Sequence, residues 1–79
     1  MTREEAYSLI QQALDAMDPE LAKKVTYSTD LIGEKIIDSL DSMNFLYELE
    51  TLHGSKIDAI DDDYEDFRIE SLIQHLIAS

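Results

Sequence analysis

Apolar residues recur at three- and four-residue intervals in three stretches of the chain, which predicts three amphipathic helices. The first helix begins at a capping box formed by Thr2 and Glu5. It ends near Asp18, because the residue before Pro19 is disfavoured in helical geometry. The Asp18-Pro19 pair favours a further short helical turn through Lys24. The apolar face of the first helix comprises Ala6, Leu9, Ile10, Ala13, Leu14 and Met17.

Residues 25–37 follow no sustained period, and we predict a long loop there. Turn-forming residues, including Gly33, alternate in this segment with apolar anchors, which are Leu31, Ile32, Ile36 and Ile37. Loops of this length are uncommon in small domains and are usually functional. A short strand at Ile36-Ile37 is the alternative, but the chain holds no second strand-like run to pair with it. We interpret the segment as a loop that is pinned to the core.

A second helix is predicted from Leu40 to His53, because Asp38 and Asp41 mark a helix start and Gly54 suits its end. This segment has more apolar residues than one helix face needs, so some of them must remain exposed. The stripe assigned to the core comprises Phe45, Leu46, Leu49 and Leu52. The stripe assigned to solvent comprises Leu40, Met43 and Tyr47.

The solvent stripe has acidic neighbours in Asp41, Glu48 and Glu50. Apolar contact combined with carboxylates that attract basic partners is typical of a docking helix. The alternative is that Met43 and Tyr47 lie at the rim of the core, with the Tyr47 hydroxyl in water. Periodicity alone leaves both interpretations open.

The last predicted helix ends at the C-terminus and carries its apolar face on Ile69, Leu72, Ile73, Leu76 and Ile77. Before it, the run Asp61-Asp62-Asp63 would cap a short helix in which Tyr64 and Phe67 share a face. The expected fold is all-α, a small antiparallel bundle of three main helices plus one short helix. We expect residues 1–79 to form a single domain, with the long loop between the first two main helices.

Composition narrows the function classes. The chain has 79 residues and no cysteine, which excludes a disulfide, a cysteine nucleophile and a thiolate metal site. No secretory signal or membrane-spanning run is evident, so we expect a cytoplasmic protein that does not insert into membranes. Eighteen acidic against six basic residues give a net charge of −12, which repels nucleic acid and favours partners with basic patches.

Candidate chemistry lies where the loop meets the second helix, at Asp38-Ser39-Leu40. A serine at a helix N-terminus places its hydroxyl where free N–H groups and the helix dipole favour a phosphate. With the residues that follow, this segment resembles the prosthetic-group site of acyl and peptidyl carrier proteins. The residues that carry the resemblance are Ile36, Ile37, Asp38, Ser39, Leu40, Asp41, Met43, Phe45, Leu49 and Glu50.

The resemblance implies a non-catalytic carrier in which Ser39 bears 4'-phosphopantetheine beside Asp38, attached by a phosphopantetheinyl transferase. It implies a monomer that delivers acyl or aminoacyl cargo, as a thioester, to enzymes with basic docking patches, and that needs no metal site. The docking residues it implies are Leu40, Asp41, Met43, Tyr47 and Glu48. The cargo pocket it implies comprises Phe45, Leu46, Leu49, Ile57 and Ile60.

Two departures concern the cargo. Asn44 occupies a position where fatty-acid carriers frequently have glutamate, and Lys35-Ile36-Ile37 stands where they usually have Leu-Gly-x before the Asp-Ser-Leu segment. We therefore expect a specialised carrier for lipid or secondary-metabolite biosynthesis, including one for aminoacyl groups, rather than a housekeeping fatty-acid carrier.

Ser42, within Asp41-Ser42-Met43, is the alternative attachment residue. Counting from Ser39 places apolar residues at the positions where the family pattern has them, whereas counting from Ser42 brings Lys56 to one of them. The Ser39 frame is therefore preferred. An ordinary serine in a first helical turn would explain Asp-Ser-Leu alone.

Three other functions have some support in the sequence. A Ser-His-Asp hydrolase fails because Ser39 and His53 lie roughly 20 Å apart at 1.5 Å per residue, while His75 lies on a polar face. The run from Asp61 to Asp66 lacks the alternating ligands and the glycine of a calcium-binding loop. An acidic module that mimics nucleic acid, or inhibits a partner, rests on charge alone and leaves Asp38-Ser39-Leu40 unexplained.

Overall fold

The computed structural model describes residues 1–57 and 64–78. Four helices form in this part of the chain: α1 (Arg3–Met17), α2 (Pro19–Lys23), α3 (Ser39–His53) and α4 (Ile69–Ala78). Within the described ranges no strand forms, and the sole β-type pairing is an isolated antiparallel bridge between Asp30 and Arg68. The predicted all-helical class is therefore confirmed.

The boundaries of α1 and α2 follow from local hydrogen bonds. The Glu5 N–H donates to Thr2 Oγ1 at 3.1 Å, and the Thr2 N–H donates to Glu5 Oε1 at 2.9 Å, which completes the predicted capping box. Asp18 is extended, with φ −162° and ψ 118°, so α1 ends at Met17. The Asp18 carboxylate then accepts from the Glu20 N–H at 3.0 Å and caps α2. The predicted break before Pro19 is confirmed.

Helix α1 is the centre of the fold, because α2, α3 and α4 each pack against it. Its buried residues, Ala6, Ile10, Ala13 and Leu14, meet the buried faces of α3 and α4 in one hydrophobic core. At the start of α1, the Arg3 guanidinium makes two hydrogen bonds to the Glu70 carboxylate in α4, at 2.6 and 2.8 Å. This pair is exposed to solvent, so apolar burial rather than the ion pair holds α4 in place.

The segment between α2 and α3 is irregular and pinned to the core, as predicted. Leu31 is fully buried, and its N–H donates to the Phe67 carbonyl at 3.0 Å. The Leu31 carbonyl in turn accepts from the N–H groups of Ile36 and Ile37 at 2.9 and 3.1 Å. Because these bonds close a local turn, the alternative of a strand at Ile36-Ile37 is wrong.

The short helix predicted around Tyr64 and Phe67 is wrong for the described part, because residues 64–67 have no helical turn. The Phe67 carbonyl binds Leu31, and the Ile69 N–H donates to the Thr29 carbonyl at 2.9 Å. These bonds and the isolated bridge at Arg68 tie the segment before α4 to the loop. The predicted cap at Asp61-Asp62-Asp63 lies outside the described residues.

Tyr64 nevertheless packs against Phe67, with ring centroids 5.6 Å apart in an edge-to-face arrangement. Its ring also contacts His75 edge-on at 5.5 Å, and His75 is half-buried. The Tyr64 hydroxyl is buried and has no hydrogen-bond partner in the described structure. Burial raises the pKa of Tyr64 to about 12, so the hydroxyl keeps its proton at neutral pH.

Replacing Tyr64 with phenylalanine is expected to raise the free energy of unfolding by about 1 kcal/mol, because a buried, unpaired hydroxyl is costly. The matched control is Tyr7→Phe, since the Tyr7 hydroxyl donates to the Val25 carbonyl at 3.1 Å. Loss of this hydrogen bond should lower the free energy of unfolding by about 1 kcal/mol. Denaturant unfolding of both variants checks the pair, and equal destabilisation in the two would contradict the absence of a partner for Tyr64.

Candidate functional site

The start of α3 presents an accessible serine at a capped helix N-terminus. Asp38 is the N-cap residue, in an extended conformation, and its Oδ1 accepts from the Asp41 N–H at 2.8 Å. Ser39 is the first residue of the helix, and it is exposed. The dipole and the free N–H groups of the first turn give this position a partial positive charge. The structure therefore places the Ser39 hydroxyl where a phosphate would be stabilised.

Ser42 lies one turn further along and differs from Ser39 in two respects. It is only 7% exposed, and its hydroxyl donates to the Ser39 carbonyl at 2.7 Å. A serine whose hydroxyl is buried and engaged with the helix backbone is a poor nucleophile for an enzyme that approaches from solvent. Of the two serines considered from the sequence, Ser39 is the accessible one.

The predicted solvent stripe of α3 is exposed. Leu40 is 83% exposed, Met43 46% and Tyr47 73%, so the alternative that Met43 and Tyr47 form the rim of the core is wrong. Asp41 is exposed beside the stripe, and Glu48 is half-buried. The stripe therefore combines apolar side chains with carboxylates on one accessible face, and its first member follows Ser39 directly.

The opposite stripe of α3 is buried, with one exception. Phe45, Leu46 and Leu49 belong to the core, whereas Leu52 is 39% exposed, so its assignment to the core is wrong. Leu52 lies in the last turn of α3 and lines an open groove together with Met1, which precedes α1, and with α1 residues that include Leu9. Because Leu52 borders a groove rather than the closed core, periodicity alone misplaces this leucine.

Ile57, another residue of the predicted cargo pocket, is fully buried in the same core. Its N–H donates to Glu50 Oε2 at 3.3 Å, which ties the chain after α3 back to the helix. Between them, Gly54 ends α3 in the left-handed region with φ 89°, as its position predicts. Ile60 lies outside the described residues. A cargo role for Phe45, Leu46, Leu49 and Ile57 stays a prediction.

A groove of about 510 Å³ lies where the end of α1 and the start of α2 face α3. Its apolar lining comprises Met17, Leu21, Ile36 and Tyr47, and its carboxylates come from Asp18, Asp41 and Glu48. Tyr47 belongs to the exposed stripe as well, so the groove adjoins the stripe at this residue, whereas Ser39 is not among the lining residues.

The sequence did not identify the α1 and α2 side of this groove. Met17 and Leu21 are four residues apart, and that spacing is the one available signal. This spacing does not reveal the groove, because the extended backbone of Asp18 between the two helices decides where Leu21 points.

The sequence argues against a Ser-His-Asp hydrolase, a metal site and a membrane-spanning segment. Ser39 and His53 are the first and last residues of α3, which places them at opposite ends of the helix. Within the ranges 1–57 and 64–78, no group of three His, Cys, Asp or Glu residues is arranged to hold a metal ion. No described helix is long and apolar enough to cross a membrane.

Comparison with known proteins gives no assignment: no protein-family model, no curated protein and no solved structure matches this chain.

Proposed function

We propose that this protein is a carrier that holds acyl or aminoacyl cargo on a 4'-phosphopantetheine group attached to Ser39. The observation that carries the proposal is the position of Ser39, exposed and first in α3, directly before the exposed stripe of Leu40, Met43 and Tyr47. A nucleophile at a helix N-terminus next to an apolar, acid-flanked docking face is the arrangement that a protein modified by other enzymes requires.

The residues around Ser39 fit the prosthetic group. Ser39 is exposed and Leu40 beside it is 83% exposed, so an enzyme can reach the hydroxyl from solvent. The N-terminus of α3 favours the phosphodiester that the attachment would create. Asp38 holds the first turn through its bond to the Asp41 N–H, which fixes the direction in which Ser39 points. When attached, the group supplies a thiol, which the chain itself lacks because it has no cysteine.

In the attachment reaction, Ser39 Oγ would attack the phosphorus of coenzyme A that bears the pantetheine. The new bond joins Oγ to that phosphorus, and the bond to the departing 3',5'-adenosine bisphosphate breaks. The hydroxyl proton passes to a base on the transferase, which also supplies Mg²⁺ for the charge on the leaving group. This chain contributes a positioned nucleophile and a docking face, and it performs no catalysis of its own.

The fold supports the same proposal. The end of α1 lies beside the start of α3, and the start of α1 lies beside the end of α3, as the residues that line the two grooves indicate. We propose the antiparallel bundle of the carrier-protein family, acting as a monomer in the cytoplasm. The buried residues Phe45, Leu46, Leu49 and Ile57, with Ile60, would receive apolar cargo. The Ile36-Ile37 approach and Asn44 favour specialised lipid or secondary-metabolite synthesis.

Replacing Ser39 with alanine is expected to abolish labelling by a promiscuous phosphopantetheinyl transferase and a fluorescent coenzyme A analogue, because the accepting hydroxyl is lost. Ser42→Ala is the matched control, since it removes a hydroxyl three residues away that is buried and engaged. It should still be labelled, with stability lower by about 1 kcal/mol. Fluorescence of the protein band after electrophoresis measures both results.

Labelling that survives Ser39→Ala and disappears in Ser42→Ala would contradict the choice of Ser39. If the unsubstituted chain accepts no label at all, the carrier proposal fails, and an acidic module that acts through its net charge of −12 becomes the better account.

A further inference from the structure

The groove between the end of α1, the start of α2 and α3 has the chemistry of a binding surface for a cationic, amphipathic segment. Its carboxylates, from Asp18, Asp41 and Glu48, surround apolar side chains that include Leu21 and Tyr47. None of the lining residues is basic, and the ion pairs among the described residues involve none of these three carboxylates. A partner segment with one apolar side chain between lysines or arginines would satisfy both features.

Charge decides between the occupants that such a groove could take. A second copy of this chain would bring another net charge of −12 to a surface already lined by carboxylates, and repulsion opposes that contact. A nucleic acid backbone is excluded by the same sign of charge. A positively charged protein segment is attracted, and the groove volume of about 510 Å³ accommodates a few side chains rather than a whole domain.

The location of the groove indicates which partner would use it. Asp41 is two residues after Ser39, and it lies on the wall of the groove. Tyr47 belongs both to the groove and to the exposed stripe. An enzyme that covers the exposed stripe as it reaches Ser39 therefore meets the groove where the two surfaces share Tyr47.

We propose that the enzyme that modifies Ser39 inserts a basic, amphipathic segment into this groove, so that the α1 and α2 corner forms a second wall of its docking site. The inference rests on the proposed carrier function and extends it, because it assigns recognition to Asp18 and Leu21, which lie outside α3. A partner bound to the exposed stripe alone would not sense these two residues.

Asp18→Asn tests the electrostatic half of the proposal. Asparagine also caps helices well, so the bond to the Glu20 N–H is retained while the charge is lost. With a promiscuous transferase and coenzyme A at low salt, we expect KM for the variant to rise about two- to fivefold with kcat unchanged, as for the loss of one exposed charge contact. High salt should remove most of this difference.

The matched control is Asp15→Asn. Asp15 is an exposed acid of α1 that lines a different groove. Its replacement therefore makes the same change in net charge without altering the proposed docking wall. Its KM should equal that of the unsubstituted chain. Equal KM values for Asp18→Asn and Asp15→Asn, with Ser39 modified normally, would overturn the groove inference and leave the carrier proposal intact.

Nuclear magnetic resonance tests the apolar half without any substitution. The unsubstituted chain is prepared with isotopically labelled methyl groups. The transferase is then added in the absence of coenzyme A. We expect the methyl signals of Met17 and Leu21 to shift together with those of Leu40 and Met43, while Leu52 stays unchanged. Shifts confined to Leu40 and Met43 would overturn the groove as a binding surface. If the labelling experiment shows that the unsubstituted chain accepts no group on Ser39, the carrier function itself fails instead.

Discussion

Replacing Leu49 with alanine is expected to lower the free energy of unfolding by about 2–5 kcal/mol, the usual cost of removing a fully buried leucine side chain. Small domains have a total stability of about 5–15 kcal/mol, so this variant would lie close to unfolding at room temperature. Denaturant unfolding followed by circular dichroism measures the change. The physical reason is that Leu49 lies in the core that α1 and α3 share, where a cavity would remain.

Leu52→Ala is the matched control, because it makes the same chemical change one turn later in the same helix. Leu52 is 39% exposed, and its loss should cost well under half of what Leu49 costs. Equal destabilisation by the two substitutions would contradict the placement of Leu49 in the closed core and of Leu52 on an open groove.

Replacing Leu40 with alanine is expected to leave stability within about 0.5 kcal/mol and to reduce kcat/KM for Ser39 modification about tenfold. A side chain that is 83% exposed contributes little to the core, yet it adjoins Ser39 and begins the apolar docking stripe. A tenfold change corresponds to about 1.4 kcal/mol of binding to the transition state, a reasonable value for one apolar anchor in an interface.

Leu52→Ala serves as the control for this substitution too. It removes an exposed leucine from the far end of α3, so modification of Ser39 should proceed at the unsubstituted rate. Steady-state kinetics with coenzyme A and a promiscuous transferase measure both variants. An unchanged kcat/KM for Leu40→Ala would show that the exposed stripe does not bind the modifying enzyme.

Local sequence signals predicted the boundaries of the helices well. The capping box of Thr2 and Glu5, the Asp18-Pro19 break, the Asp38 cap and Gly54 each act within four residues, so the sequence contains the interaction in full. The excess of apolar residues in α3 predicted that some of them lie in solvent, whereas periodicity alone left open whether Met43 and Tyr47 are among those.

Features that depend on distant contacts were not predicted. Residues 64–67 form no helical turn, and the Phe67 carbonyl instead accepts from the Leu31 N–H across the fold, a bond that the local pattern does not report. Leu52 lines a groove with residues of α1 and is 39% exposed, which the pattern of α3 alone does not show. The groove requires the orientation of α2 relative to α3, which the backbone of Asp18 sets. Periodicity describes one helix at a time and holds no information on such arrangements.

The central claim is that Ser39 is the attachment residue of a carrier protein, and one measurement tests it most directly. The unsubstituted chain is incubated with coenzyme A and a promiscuous phosphopantetheinyl transferase, digested, and analysed by tandem mass spectrometry. The account predicts one phosphopantetheine group, located by fragmentation on Ser39. A group on Ser42, or an unmodified chain after a positive control has reacted to completion, would contradict it.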